Sequence, residues 1–204
     1  MAKATSKAKK HLSQDPVFAP LLNDIRLEPL ELTTDVYVRL LRAIVYQQLS
    51  GKAASTIHER FLHLFNDGYP HPEDVLEFDL PTLRKVGLSR QKATYIQNVA
   101  QHFVDHDLLR QDWSKVPDDY IIRELTQIKG VGTWTVQMIL MFSLGRKDIL
   151  PTGDLAIQQS MRELYKLKGS GKKLEQQMLK VADAWRPYRT VAARYLWRWK
   201  DTLV

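Results

Sequence analysis

The 204-residue chain is predicted to be all-α. Three observations predict it. Apolar residues recur at helical spacing along most of the sequence. No stretch alternates apolar and polar residues as a half-buried strand does. Glycine and proline fall between the periodic runs rather than inside them. With 44% hydrophobic residues and no low-complexity linker, the chain can form one domain or two small lobes with a real core.

The elements follow in order. The basic start MAKATSKAKKH lacks the apolar stretch of a secretory signal and reads as a frayed tail within reach of phosphates. Tyr37, Leu40, Leu41, Ile44, Val45 and Gln48 share one helix face, with Thr34 or Asp35 as N-cap, and Ser50-Gly51 breaks the pattern. Ala54, Ile57, Phe61 and Leu64 mark the next helix. Tyr69-Pro70-His71-Pro72 is a turn. Short helices are expected around Glu73–Phe78 and Pro81–Val86, the second stopped by Gly87. Ser89 caps a helix to about Val104. Asp118 or Asp119 opens one carrying Ile122, Leu125 and Ile128. Thr133 to about Leu144 is apolar almost all round and so should be central, with Gly145 ending it. Asp154 starts a helix to about Leu167, Gly169-Ser170-Gly171 is a loop, and two further helices complete the chain.

A formal charge of +7 favours a polyanionic partner. The absence of cysteine removes disulfides, a cysteine nucleophile, thiolate zinc sites and cysteine-held iron–sulfur clusters. No apolar run is long enough to span a membrane. The expected setting is intracellular: cytoplasmic, at the nucleoid, in a bacterium, and nuclear in a eukaryote.

The stretch LTQIKGVGTWTVQMIL holds a Gly130-Val131-Gly132 turn between two helical patterns. Glycine permits positive φ and close approach of another backbone. The helix that restarts at Thr133 offers amides and a positive dipole end to an anion such as a phosphate diester. An ordinary helix–helix connection uses the same residues, so the turn alone does not decide. Twenty-two positions after Gly132, Asp154 begins another helix. It can act as an N-cap, as a carboxylate that stabilises positive charge on a sugar, or as both. Asp148, after Arg146-Lys147, reads as solvated. No second carboxylate stands at a matched spacing to serve as general acid, and no acidic cluster suggests a required divalent metal. His58, His63 and His102 lie on predicted helices without metal-site spacing.

This stretch and its spacing to Asp154 resemble the helix-hairpin-helix DNA glycosylase superfamily. LLRAIVYQQLSGKAASTIHERF, LRKVGLSRQKATYIQNVA and WRPYRTVAARYLWRW further resemble its alkylpurine branch, the 3-methyladenine DNA glycosylase II family, over roughly residues 35–200. The resemblance implies a two-lobed all-α fold with the active-site cleft between lobes. Residues 1–34 would pack with the C-terminal lobe, 35–145 would form the lobe with the hairpin, and 146–204 would carry the catalytic aspartate. It implies a monomer acting on double-stranded DNA with a damaged base, without a membrane partner or a required cofactor. The main-chain carbonyls of Thr126, Ile128 and Val131 would hold a structural potassium or sodium ion.

Roles follow from the same resemblance. Asp154 is the catalytic aspartate. Gly130, Val131, Gly132 and Thr133 contact DNA, and Gln48 fills the gap left by the flipped nucleotide. Trp134 and Tyr188 line the base pocket, with Tyr46 and, more weakly supported, Trp185 as neighbours, electron-rich walls suited to a cationic base. Trp185, Trp197 and Trp199 read as packing residues. Trp134 stands where bifunctional relatives carry a nucleophilic lysine, which implies a monofunctional enzyme that uses water. Excision of another damaged base, such as hypoxanthine or uracil, and a non-catalytic DNA-binding module remain open alternatives.

Overall fold

The computed structural model describes residues 2–202, with side chains from residue 6. Among these residues every regular element is helical. The chain divides into two compact units, residues 1–31 with 140–204, and residues 32–139.

The first unit opens with α1 (Ala2–Leu12) and α2 (Leu21–Asp24). The expectation of a frayed tail is corrected. Ala8 and Leu12 are buried, Lys9 Nζ lies 3.4 Å from the Leu22 carbonyl, and His11 Nε2 lies 2.9 Å from the Ala184 carbonyl. The segment holds too few apolar residues for its periodicity to stand out in the sequence.

The second unit runs through α3 (Val36–Tyr46), α4 (Gly51–Leu62), α5 (Pro72–Glu77), α6 (Leu80–Lys85), α7 (Arg90–Asp105) and α8 (Asp118–Leu125), and reaches into α9 (Thr133–Phe142). The caps are local chemistry. Asp35 accepts from Val38 N–H, Asp79 from Thr82 N–H and Ser89 from Lys92 N–H. Helix α7 is the unit's pillar, packed on α3, α5 and α6. Its Ala93, Ile96, Val99, Ala100 and Phe103 are buried, as are Leu40, Leu41, Ile44 and Val45 of α3. Each of the larger side chains contributes about 1.5–3 kcal/mol by leaving water. Tyr37 closes on Phe103 with ring centroids 5.1 Å apart.

Two sequence readings change here. Helix α3 ends at Tyr46, and Gln48 adopts φ +56°, so Gln48 is not on the α3 face. The Lys92 ammonium, 2.7 Å from the Val45 carbonyl, satisfies the end of α3 instead, a favourable place for a cation. On α8 the buried residues are Ile121, Glu124 and Leu125, not Ile122, and Ile128 is buried in the turn that follows.

The first unit is completed by α10 (Leu155–Tyr165), α11 (Gly171–Ala182) and α12 (Arg189–Asp201). Both α9 and α10 stop two residues before the expected Leu144 and Leu167, with Gly145 and Lys166 at positive φ beyond them. Helices α1 and α10 pack on α12. Phe18, Trp185 and Tyr195 fill the core between them. Asp15 ties this core together by accepting from Tyr165 O–H at 2.7 Å and Trp185 Nε1–H at 3.0 Å. Burial pushes its carboxyl up, but these bonds and the amides of Phe18 and Val17 outweigh it and hold Asp15 below the usual carboxylate range.

Candidate nucleic-acid interface and carboxylate site

The hairpin turns between α8 and α9 within the second unit. Gly130 takes φ +107°, where an L side chain is strained. It also lacks room: a Cβ there would meet the Tyr95 ring at 2.3 Å. Gly132 differs. It has no left-handed φ, and a Cβ on it would meet nothing within 4 Å. It is exposed, as is Thr133. The first intrahelical bond of α9 runs from Val136 N–H to the Gly132 carbonyl at 3.2 Å, so the preceding amides point out of the helix N-terminus. Gly130 is therefore demanded by the fold. Gly132 puts no side chain of its own in front of that N-terminus.

Two side chains brace the turn from outside. Asn98 Nδ2 donates to the Lys129 carbonyl at 3.1 Å, and Gln47 Nε2 donates to the Gly130 carbonyl at 3.3 Å. The second bond sets the turn that carries Gln48 beside the hairpin. Gln48 itself is exposed. Trp134, in the first turn of α9, is 50% exposed, so it is not a core residue. Tyr46 is half-buried, with the Arg42 guanidinium 4.3 Å from its ring centroid and the His58 ring at 6.2 Å.

Asp154 stands in the first unit as the N-cap of α10. Its Oδ1 accepts from Ile157 N–H at 2.9 Å and from Trp197 Nε1–H at 3.0 Å. The carboxylate thus sits at the positive end of a helix and is oriented by a second helix. Trp197, assigned to packing from sequence, is the residue that sequence reasoning missed. Its ring also lies 5.8 Å from Phe142. Trp185 is fully buried packing, as expected.

The loop that delivers Asp154 is pinned at both ends. Arg189 grips Asp148 with Nε to Oδ1 at 2.7 Å and Nη2 to Oδ2 at 3.0 Å, and Arg186 reaches Oδ2 at 2.7 Å. The solvated reading of Asp148 is thereby corrected: its side chain is 27% exposed and that of Arg189 14%. Thr190 Oγ1 donates to the Arg146 carbonyl at 2.6 Å and accepts from Ile149 N–H at 3.0 Å. Nearer Asp154, Gln158 Nε2 donates to the Thr152 carbonyl at 2.7 Å.

Tyr188 is the N-cap residue of α12, its ring 5.4 Å from that of His11. By helical rise its backbone stands about 13.5 Å along the axis from that of Trp197. Gln48, Gly130, Val131, Gly132, Thr133 and Trp134 thus belong to the second unit and Asp154, Trp197 and Tyr188 to the first, where Trp197 bonds to Asp154 and Tyr188 packs on His11.

Residues 41–187 match the family profile described as HhH-GPD superfamily base excision DNA repair protein. The chain belongs to this family. Among its members, DNA-3-methyladenine glycosylase 1 of Schizosaccharomyces pombe is 37% identical over 79% of the chain and 71% of its own length. The same organism's alkylbase DNA glycosidase-like protein mag2 is 32% identical over 94% of the chain and 92% of its own length. The solved structure of S. pombe 3-methyladenine DNA glycosylase in complex with abasic DNA superposes with a TM-score of 0.78 at 35% identity, covering 94% of this chain and 95% of that one. No helix of the described residues is long and apolar enough to cross a membrane.

Proposed function

We propose that the chain is a monofunctional DNA glycosylase that hydrolyses the N-glycosidic bond of alkylated purines of the 3-methyladenine and 7-methylguanine type. The observation that carries the reading is the Asp154 carboxylate, held at a helix N-terminus by Ile157 N–H and Trp197 Nε1–H in a chain of this family.

The chemistry follows from the substrate. An N-alkylated purine carries positive charge. When its bond to C1′ breaks, the electron pair goes to the base, which leaves neutral and needs no proton. The sugar becomes oxocarbenium-like, and a fixed carboxylate stabilises that charge without reorganising. Water adds to C1′, its proton passes to Asp154 or solvent, and an abasic site remains. For this to occur the nucleotide must leave the duplex. Gln48, exposed on a turn tied to the hairpin, suits the gap, and the exposed ring of Trp134 suits stacking on a cationic base.

The carbonyls of Thr126, Ile128 and Val131, neutral oxygens at the end of α8 and in the turn after it, are the donor type that a potassium or sodium ion takes. The Ile128 carbonyl accepts Val131 N–H at 3.0 Å and keeps a second lone pair. A bound cation would supply positive charge to a phosphate there.

The test is base release from duplexes carrying a panel of lesions, with products identified by mass. Release of alkylated purines is expected, from a strand that stays intact until alkali is added and with little borohydride-trapped adduct. Release of hypoxanthine or uracil instead would change the substrate. Binding without any release would leave only a DNA-binding module. A strong trapped adduct that vanishes in Lys129→Ala would overturn the monofunctional assignment.

A further inference from the structure

On the flank of the second unit, α7 and α8 bring together three metal-ligating side chains that the proposed reaction does not use. His102 and His106 are spaced i, i+4 on and just past α7, and Glu124 lies in the last turn of α8. Glu124 lies 22 positions from His102 in the sequence, so no local spacing announces the cluster. We propose that His102, His106 and Glu124 form a site for a divalent transition ion of the zinc type, clamping α7 to the first helix of the hairpin.

The geometry carries this. His102 Nε2 lies 2.8 Å and His106 Nδ1 3.5 Å from the same oxygen, Glu124 Oε1. All three ligand atoms lie within 4.8 Å of one another. Two ligand atoms about 2.1 Å from a tetrahedral ion stand roughly 3.4 Å apart, so the His106–Glu124 pair at 3.5 Å already has that spacing and the His102–Glu124 pair at 2.8 Å must open to reach it. The donor set, two imidazoles and one carboxylate, is one that zinc and its first-row neighbours accept, and it leaves a position for water.

A plain histidine–carboxylate pair accounts for less. The two imidazole rings stack with centroids 4.2 Å apart and planes 21° apart, while both aim a nitrogen at one oxygen. Glu124 and His102 are only 11% and 13% exposed, so part of the site is already out of water, whereas His106, at 47%, gives an ion access. The Gln127 side-chain amide, 3.5 Å from Glu124 Oε2, helps orient the carboxylate.

The site also has a mechanical setting. Tyr95 packs beneath Gly130, and Asn98 holds the Lys129 carbonyl. A metal at His102 would add a third tie from α7 to the hairpin, one helical turn from the next. The ion would act as a strut and take no part in bond cleavage.

The experiment is calorimetric titration of the untagged, metal-stripped full chain with zinc chloride, with cobalt(II) absorption in the visible as a second readout. One saturable site is expected, together with a raised Tm in zinc. Affinity should fall at least ~10-fold in His106→Ala and in Glu124→Gln, because removing a ligand costs more than removing an outer-shell partner. His71→Ala, which breaks an exposed histidine–aspartate pair on another part of the unit, should leave affinity unchanged. Absence of saturable uptake, or uptake undiminished in the folded His106→Ala variant, would overturn the proposal.

Discussion

The two glycines of the hairpin should fail in opposite ways when replaced. Gly130→Ala puts a methyl where the Tyr95 ring stands at 2.3 Å and forces alanine to φ +107°. The backbone conformation costs about 1–2 kcal/mol and the overpacking about 1–3, so the fold should lose roughly 2–5 kcal/mol. Gly132→Asp meets open space and an ordinary backbone. Aspartate is a better N-cap than glycine and favours a helix N-terminus, so the fold should hold its stability or gain up to ~1 kcal/mol. The same carboxylate would occupy the place a phosphate needs. Losing one hydrogen bond to a charged group costs about 1.5–3 kcal/mol, and like-charge repulsion near 4 Å in water adds about 1. At about 1.4 kcal/mol per tenfold, duplex affinity should fall roughly 50- to 1000-fold. Urea melts and fluorescence anisotropy at fixed salt measure the two quantities on damaged and undamaged duplexes alike, since phosphate contacts carry no sequence information. Undiminished DNA affinity in a stable Gly132→Asp protein would refute the reasoning and reduce the hairpin to a connector.

Three further outcomes follow from the same structure. Trp197→Phe keeps the ring but removes the donor to Asp154 Oδ1, so single-turnover base release should slow by about 10- to 100-fold with binding intact; an unchanged rate would return Trp197 to packing. Gln48→Gly suits the φ of +56° and should leave stability equal or higher, yet it should impair excision from duplex more than from a base already unpaired; equal losses on the two substrates would remove Gln48 from the wedge role. Asp15 is held below its usual pKa, so its stabilisation is present above about pH 4 and lost as pH falls through the depressed folded value; wild-type urea midpoints should drop more steeply below pH 4 than those of Asp15→Asn, and parallel curves would count against it.

What the sequence made legible was local. Asp35, Ser89 and Asp154 bond to amides three residues ahead, so the residue type and the following periodicity announce the helix start. The Gly130 turn was legible for the same reason. Contacts between distant segments were not. Trp197 reaches Asp154 across 43 positions, Arg189 reaches Asp148 across 41, and His102 meets Glu124 across 22. A tryptophan donor or an arginine fork looks the same in sequence whether it packs, pairs or orients a carboxylate. Gln48 failed differently: its apolar neighbours continue the α3 pattern, while the backbone has already turned left-handed.

The central claim is that the Asp154 carboxylate accelerates cleavage of the glycosidic bond. The direct measurement is the single-turnover rate of 3-methyladenine and 7-methylguanine release from methylated duplex by wild type and Asp154→Asn, with duplex affinity measured on the same proteins. The asparagine variant should bind duplex as wild type does and release base about 10²-fold more slowly or worse. Release at close to the wild-type rate by the folded Asp154→Asn protein would contradict the account.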